Sequence, residues 1–326
     1  MRRLVMTLLI VFICAGAVLV PVTVAQRTKH RSTHKVQPKS SSTPEDVCPS
    51  SGTAFEMSLS KMPIPNPSHH GIDDRCPRAG SSKPTTPHGA QNAAKNNFLA
   101  EGDPVELTFE DFTELQSLTN KRINAGEIKL DKIDKDHLPV NRTQLKMTVN
   151  GKLLSEGTLV TLEGLVYSAH YSNTKFNRYP QHKRGSGEAN NCKCNRVDWN
   201  DIHIALVDDE NDSECKSVTA EISPHYRSML WSRFHDGQID EIQAALPGLL
   251  KGKVVEGMNG VPIKIRVRGP LFYDASHQPC TFKSSGEVLR YGSPQRRSIW
   301  EVHPVYHIQV FDTAASKWMD LEEWAH

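Results

Sequence analysis

The sequence predicts a mainly β protein with helices, its strands forming a five-stranded barrel behind a long polar tail. Three observations carry this expectation. Five stretches between residues 157 and 312 alternate apolar and polar side chains, the period of a half-buried strand. A helical pattern opening at Ser223-Pro224 falls between the third and the fourth of them. The first 90 residues lack any periodic apolar pattern beyond one N-terminal run. Apolar residues make up 37% of the 326, with 20 Gly and 20 Pro, a dilution expected when a non-globular part accompanies a folded one. The net charge of +2 is too near neutral to require nucleic acid or an anionic membrane as a partner.

In chain order, Arg2 and Arg3 precede an apolar run from Leu4 to Val22, and Thr23-Val24-Ala25 offers small residues before a cut. That is the pattern of a secretory signal peptide over residues 1–25. The alternative is an uncleaved anchor, since about twenty apolar residues span a bilayer. A lipoprotein is disfavoured because Cys14 lies inside the run behind the bulky Ile13. Cleavage leaves an extracytoplasmic chain, periplasmic or secreted, without a membrane span. Six cysteines then remain: Cys48, Cys76, Cys192, Cys194, Cys215 and Cys280. An even set in an oxidising compartment favours disulfides. Connectivity does not follow from spacing, although Cys48 with Cys76 is a plausible local pair. Cys192 and Cys194 lack the second cysteine pair of a zinc site.

Residues 26–90 read as a disordered Pro/Ser/basic linker, too poor in apolar surface to offset its ordering entropy. A helical N-terminal extension follows over 91–144. Within it Thr108 can cap a helix, with Asp111 three residues on as an imperfect capping box. Phe109, Phe112, Leu115 and Leu118 share one helical face.

The barrel itself is expected over 145–312. Its first strand, GTLVTLEGLVYSAHYS, is long, and Gly164 marks a bend or bulge. A polar loop covers 172–200. The second strand, DIHIALVDD, turns Ile202, Ile204 and Leu206 inward and Asp201 and His203 outward. The third, CKSVTAEIS, turns Val218, Ala220 and Ile222 inward and Thr219 and Glu221 outward. After the helical stretch comes VPIKIRVRGPLFYD, and last RSIWEVHPVYHIQVFD, with Pro304 at a bulge or edge. A capping segment, 313–326, docks Trp318, Leu321 and Trp324. Strand, strand, strand, helix, strand, strand with a long bent first strand is the order of an OB-like Greek-key barrel.

Six blocks, AQNAAKNNF, EGTLVTLEGLVYSAHYSN, NDIHIAL, ECKSVTAEISPHYR, LFYDASHQPC and SIWEVHPVY, together resemble a family of exported bacterial proteins with an OB-like barrel. The resemblance spans residues 90–312 and implies no particular activity. Staphylococcal-type nucleases share a barrel architecture, but their motif spacing is absent, and fold alone does not transfer chemistry.

Two sets of residues are candidates for function. The first is polar: Asp201, His203, Glu221, Asp274, His277, Glu301 and His303, with His225, Arg227 and His307 nearby in sequence. Carboxylates and imidazoles on outward strand faces can converge on a divalent metal ion, which activates water for hydrolysis. Against this, antiparallel sheets commonly keep one solvated face, so alternating polar residues need no site. HExxH, GxSxG and P-loop motifs are missing. Asp274, Ser276 and His277 spell a serine triad on paper, but residues this close in sequence seldom reach its geometry. Cys280 is expected to be paired, not nucleophilic. The second set is the loop with Lys175, Arg178, Tyr179, Lys183, Arg184 and Arg196, where basic groups interleave with aromatics, as in surfaces that grip a phosphate backbone and stack bases. Two functions stay open: an exported binding module for an envelope polymer, a nucleic acid or a protein partner, which the lack of a catalytic motif favours, and a divalent-metal-dependent hydrolase, with phosphoesters as a candidate substrate class because Arg side chains suit phosphate.

Overall fold

A computed structural model of the chain describes residues 71–73, 76–133, 136–172, 188–193, 200–225 and 262–324. The expected signal peptide, the helical stretch after Ser223-Pro224 and the basic–aromatic residues Lys175, Arg178, Tyr179, Lys183, Arg184 and Arg196 lie outside the described residues, as do Cys48 and Cys194.

The strands are β1 (Gly71–Asp73), β2 (Cys76–Pro77), β3 (Val105–Leu107), β4 (Lys146–Val149), β5 (Lys152–Ser155), β6 (Leu159–Tyr171), β7 (Ile202–Val207), β8 (Val218–Ile222), β9 (Lys264–Tyr273), β10 (Thr281–Phe282), β11 (Val288–Arg290), β12 (Trp300–Val302), β13 (His307–Asp312) and β14 (Lys317–Asp320). The helices are α1 (Pro87–Lys95), α2 (Phe109–Asn124) and a terminal turn, Leu321–Trp324. The chain is therefore mostly β, and five strands close a barrel. β6 pairs with β7, β7 with β8, β8 with β12, β12 with β9, and β9 back with β6. All five pairings are antiparallel except β8 with β12. Closure leaves none of these strands as an unpaired edge.

The interior is apolar, as the alternation predicts. Ile202, Ile204, Leu206, Val218, Ala220, Ile222, Ile265, Val267, Trp300 and Val302 form one buried cluster with Phe109, Phe112 and Leu115 of α2. Helix α2 starts where the sequence places it. Thr108 and Asp111 complete both halves of a capping box, and Asp111 also takes hydrogen bonds from Lys152 Nζ (2.7 Å) and Asn150 Nδ2 (2.8 Å). The Trp300 indole N–H donates to Thr119 Oγ1 at 2.9 Å, tying helix to barrel.

Three expectations change. Gly164 is not the bulge; the register shifts two residues later, between Val166 and Ser168. A Cβ at Gly164 would meet Phe109 Cζ at 2.8 Å, so the glycine is there to let α2 approach. The single last strand is divided into β12 and β13, which both pair antiparallel with β9 but in registers two residues apart, the extra residues falling around Pro304 as the bulge reading expects; a Cβ at Gly269 would lie 2.3 Å from Pro304 O. The folded part also begins before residue 90. Helix α1, capped by Thr86 with Pro87 in its first turn, carries buried Gly89, Gln91, Asn92 and Lys95. Such a helix has a polar face to bury, which an apolar-periodicity reading passes over.

The disulfides differ from the local pair that spacing suggested. Cys76 joins Cys192, not Cys48, and Cys215 joins Cys280. The first closes a loop across 116 residues and ties the turn before α1 to the segment after Glu188. The two bonds suit an oxidising compartment, and Cys280 is thereby no nucleophile.

Candidate metal centre

The outward faces of β7, β8, β12 and the end of β9 form a continuous polar surface by register. His203 lies opposite Glu221. Ala220 lies opposite Val302 in the parallel pair, which sets Glu221 beside Glu301 and His303. Glu301 in turn lies opposite Phe272, and Asp274 follows at the end of β9. The sequence placed these side chains on one side correctly, but that side is not solvated. Asp201, Glu221, Asp274, Glu301 and His303 are all 0% exposed. Helix α1 covers the face with Gln91 and Lys95, while buried Glu188, Asn190 and Asn191 adjoin it beside Asp201. All seven polar candidates meet here.

Glu221 is the hub. Its Oε2 accepts from His303 Nδ1 at 2.7 Å, and His203 Nε2 lies 3.0 Å from its Oε1. Lys95 Nζ sits between Glu221 Oε2 (3.6 Å) and Asp274 Oδ2 (3.7 Å), too far from either for a good hydrogen bond. Arg296, also fully buried, donates to Glu301 Oε2 at 2.5 Å and to Asp274 Oδ2 at 3.4 Å. Asp201 accepts from Asn190 and Asn191 side chains, each at 3.1 Å, and its backbone N–H donates to Glu188 Oε2 at 2.6 Å. His277 Nε2 is 3.3 Å from Asp274 Oδ2. Ser276 donates directly to Asp274 Oδ1 at 2.6 Å. A serine bonded to the acid, with the histidine on the acid's other oxygen, is the wrong order for a triad, so that reading falls. His225 is edge-on to Phe98, and His307 pairs with Asp320 on β14.

Acids and bases are crowded together out of water. Five carboxylates, Glu188, Asp201, Glu221, Asp274 and Glu301, share the site with Lys95, Arg296 and the imidazoles of His203, His277 and His303. Burial by itself would raise Glu221, but His203, Lys95 and His303 outweigh it and hold that carboxyl well below its ordinary range. Asp274 is likewise depressed, burial being overcome by Lys95, His277 and Arg296. Burial pushes Glu301 up to about 7, with the charge on Glu221 adding to the rise. Burial and Asp201 push Glu188 up to about 8. Burial opposes a charge on His303, yet Glu221 raises the imidazole to about 10. Both carboxyl rises come first from removal of the carboxyl from water, with the neighbouring carboxylates as the lesser cause.

Metal-ligand spacing is present. Ligand atoms of Asp201, Glu221 and His303 all lie within 4.8 Å of one another, and so do those of Glu221, Asp274 and Glu301. Glu301 Oε1 and His303 Nε2 are buried and make no hydrogen bond among the described residues. The ionic partners stand off at 3.6 Å (His303 Nδ1 from Glu301 Oε1) and 3.9 Å (Asp201 Oδ2 from His303 Nε2). Around this sealed floor stand side chains that reach solvent: His277 is 34% exposed, His203 15% and Lys95 11%.

Sequence reasoning missed Lys95, Arg296 and Glu188. Lys95 ends a helix with no large apolar residue, and a short helix whose buried face is Gln, Asn and Lys must dock on something polar. Arg296 stands five residues before Glu301, and nothing in a strand pattern sets it apart from a solvated arginine. Comparison with protein-family models, curated proteins and solved structures finds no match to this chain.

Proposed function

We propose that this chain is an exported protein with an OB-like Greek-key barrel whose polar centre binds a divalent cation and uses it for hydrolysis, with a phosphoester as the substrate class. The ring of pairings, with β8 and β12 parallel, supports the OB-like reading. The two disulfides support an oxidising, extracytoplasmic location.

The observation that carries the metal reading is the buried ligand set around Glu221 with its partnerless His303 Nε2. A divalent cation held by Asp201, Glu221 and His303 offsets the cost of gathering carboxylates out of water and gives His303 Nε2 a partner. Asp201, Glu221 and His303 are the assigned ligands. His303 must shed its proton to bind, so affinity rises with pH. Glu301, close to neutrality in its proton affinity, is placed to take a proton from water. Lys95, at the open side, is placed to offset negative charge on a bound phosphoryl oxygen. Arg296 is a positioning residue, sealed behind Glu301 and Asp274.

The test is a thermal melt of the full oxidised chain at pH 8, first with chelator and then with zinc, manganese, calcium and magnesium in turn. A ligand that binds the native state alone raises Tm. One cation is expected to raise it selectively, the shift disappearing in His303→Gln combined with Asp201→Asn. Lys95→Met, which removes a competing positive charge, is expected to increase the shift while abolishing hydrolysis of an aryl phosphodiester. No shift with any cation would sink the metal reading.

A further inference from the structure

Away from the polar centre, strands β3, β6, β9 and β13 turn a second polar surface outward, and the register arranges it in rows. Thr161 and His307 flank Arg268 on its two sides, and Glu106 lies beyond Thr161. In the next row Glu163 and Gln309 flank Arg266. The two arginines are two residues apart on one strand face, yet their surroundings differ.

Arg266 is fully engaged. It donates to Glu163 Oε1 from Nε at 2.9 Å and from Nη2 at 2.5 Å, reaches Gln309 Oε1 at 3.3 Å, and stacks 4.2 Å from the Trp318 ring centroid. Arg268 has no such acceptor. Its half-buried side chain makes no hydrogen bond or ion pair among the described residues, and its Nε is shut off from solvent without a partner. His307 gives one ring nitrogen to Asp320 Oδ1 at 2.9 Å; its Nδ1 has no partner among the described residues. Arg268, Thr161 and His307 line a cavity of about 340 Å³, together with Arg266, Gln309, Glu106 and Pro104. That volume is at the small end of ligand sites.

We infer that this cavity binds a single tetrahedral oxyanion, such as a phosphate or sulfate group, on Arg268 with Thr161 and His307 as further donors. A guanidinium fork held without a counter-charge between a hydroxyl and an imidazole offers convergent donors matched to such a group. The carboxylate of Glu106 on the rim limits the site to one anionic head and repels a run of them. The site is independent of the metal centre. Arg268 and Asp274 lie six residues apart along and beyond β9, about 20 Å at the rise of a strand.

The experiment is calorimetric titration of the full oxidised chain with inorganic phosphate, and separately sulfate, at low ionic strength with chelator present so that no cation bridges the anion. Saturable binding is expected. Arg268→Gln is expected to weaken it at least tenfold and Thr161→Val severalfold, both variants melting cooperatively. Glu106→Gln is expected to tighten it severalfold, which a merely structural role for the row would not do. Lys317→Gln, a charge on the neighbouring surface, is expected to leave it unchanged. Undetectable binding by the parent protein at 10-millimolar phosphate would overturn the inference; so would equal affinity in Arg268→Gln, or a loss in Lys317→Gln matching that in Arg268→Gln. Retained phosphate binding together with a failed cation melt would leave this site standing and remove the metal centre alone.

Discussion

Residues 300–303 and 307–310 come from one alternating run of sequence, with the same apolar side and the same polar side, yet they end in opposite environments. Glu301 and His303 are sealed beneath α1, with Arg296, Glu221 and Lys95 as neighbours. His307 and Gln309 stay at the surface, sharing Asp320 as a partner. The inner sides match: Trp300, Val302, Ile308 and Val310 all join the apolar core. What separates the halves is the cover. A polar side chain under a cover must find its partner in protein, whereas one in water need not. Hence the first half has become a charged network and the second has remained an ordinary wet surface with a groove.

The largest effect that distinguishes the halves is expected from matched arginine substitutions. Arg296→Met leaves Glu301 and Asp274 buried without their guanidinium and is expected to cost about 3–5 kcal/mol by urea denaturation. Arg266→Met, on the open half and one-third exposed, is expected to cost about 1 kcal/mol or less. Equal costs would mean that the cover does not exclude water. A smaller effect is expected from pH. With chelator present, folded Glu301 and Glu188 hold protons up to about 7 and about 8, against an ordinary 4.5. The unfolded chain releases those protons first, so stability falls as pH rises from about 4.5 to about 8. His303, raised to about 10 from 6.5, adds a loss of the same sign above pH 6.5. Glu221 and Asp274, both depressed, lose their contribution as pH falls through their folded values. The optimum is therefore near pH 5, with stability declining steadily from there to pH 8. Glu301→Gln is expected to flatten that decline in chemical denaturation, and a saturating cation to reverse it. A flat profile in the parent protein would contradict the raised buried carboxyls. The smallest effect is expected at His307→Gln, within about 1 kcal/mol of the parent because its Asp320 pair is solvent-screened. His303→Gln should exceed it severalfold.

Much of this was legible in the residues. Alternation in DIHIALVDD and CKSVTAEIS assigned each side chain to the correct face of the barrel, because the strand period is fixed by backbone geometry. The Thr108–Asp111 cap of α2 was readable for the same local reason. Asp201, His203, Glu221, Glu301 and His303 could be named from outward parity, and Asp274 and His277 from the turn that follows their strand, although the same parity also named His307, which pairs with Asp320 instead. Their burial could not, since it depends on α1 and on the segment at Glu188, which are distant in sequence and polar in composition. Cys76 pairing with Cys192 was equally out of reach: chain proximity suggested Cys48, whereas the bond forms where two covering segments meet.

The sequence by itself thus determined the strands, the inward and outward sides and the wealth of cysteine, all properties of short stretches obeying a period or a composition. Only the tertiary structure decided which outward side was shut away from water. That choice turned one half of an alternating strand into a congested acid–imidazole centre, while on β9, beside the other half, Arg268 stands without a counter-charge. The physical reason is that the energy of a charge depends on what covers it, and the cover is supplied by residues up to about two hundred positions away, as Lys95 is from Glu301 and His303.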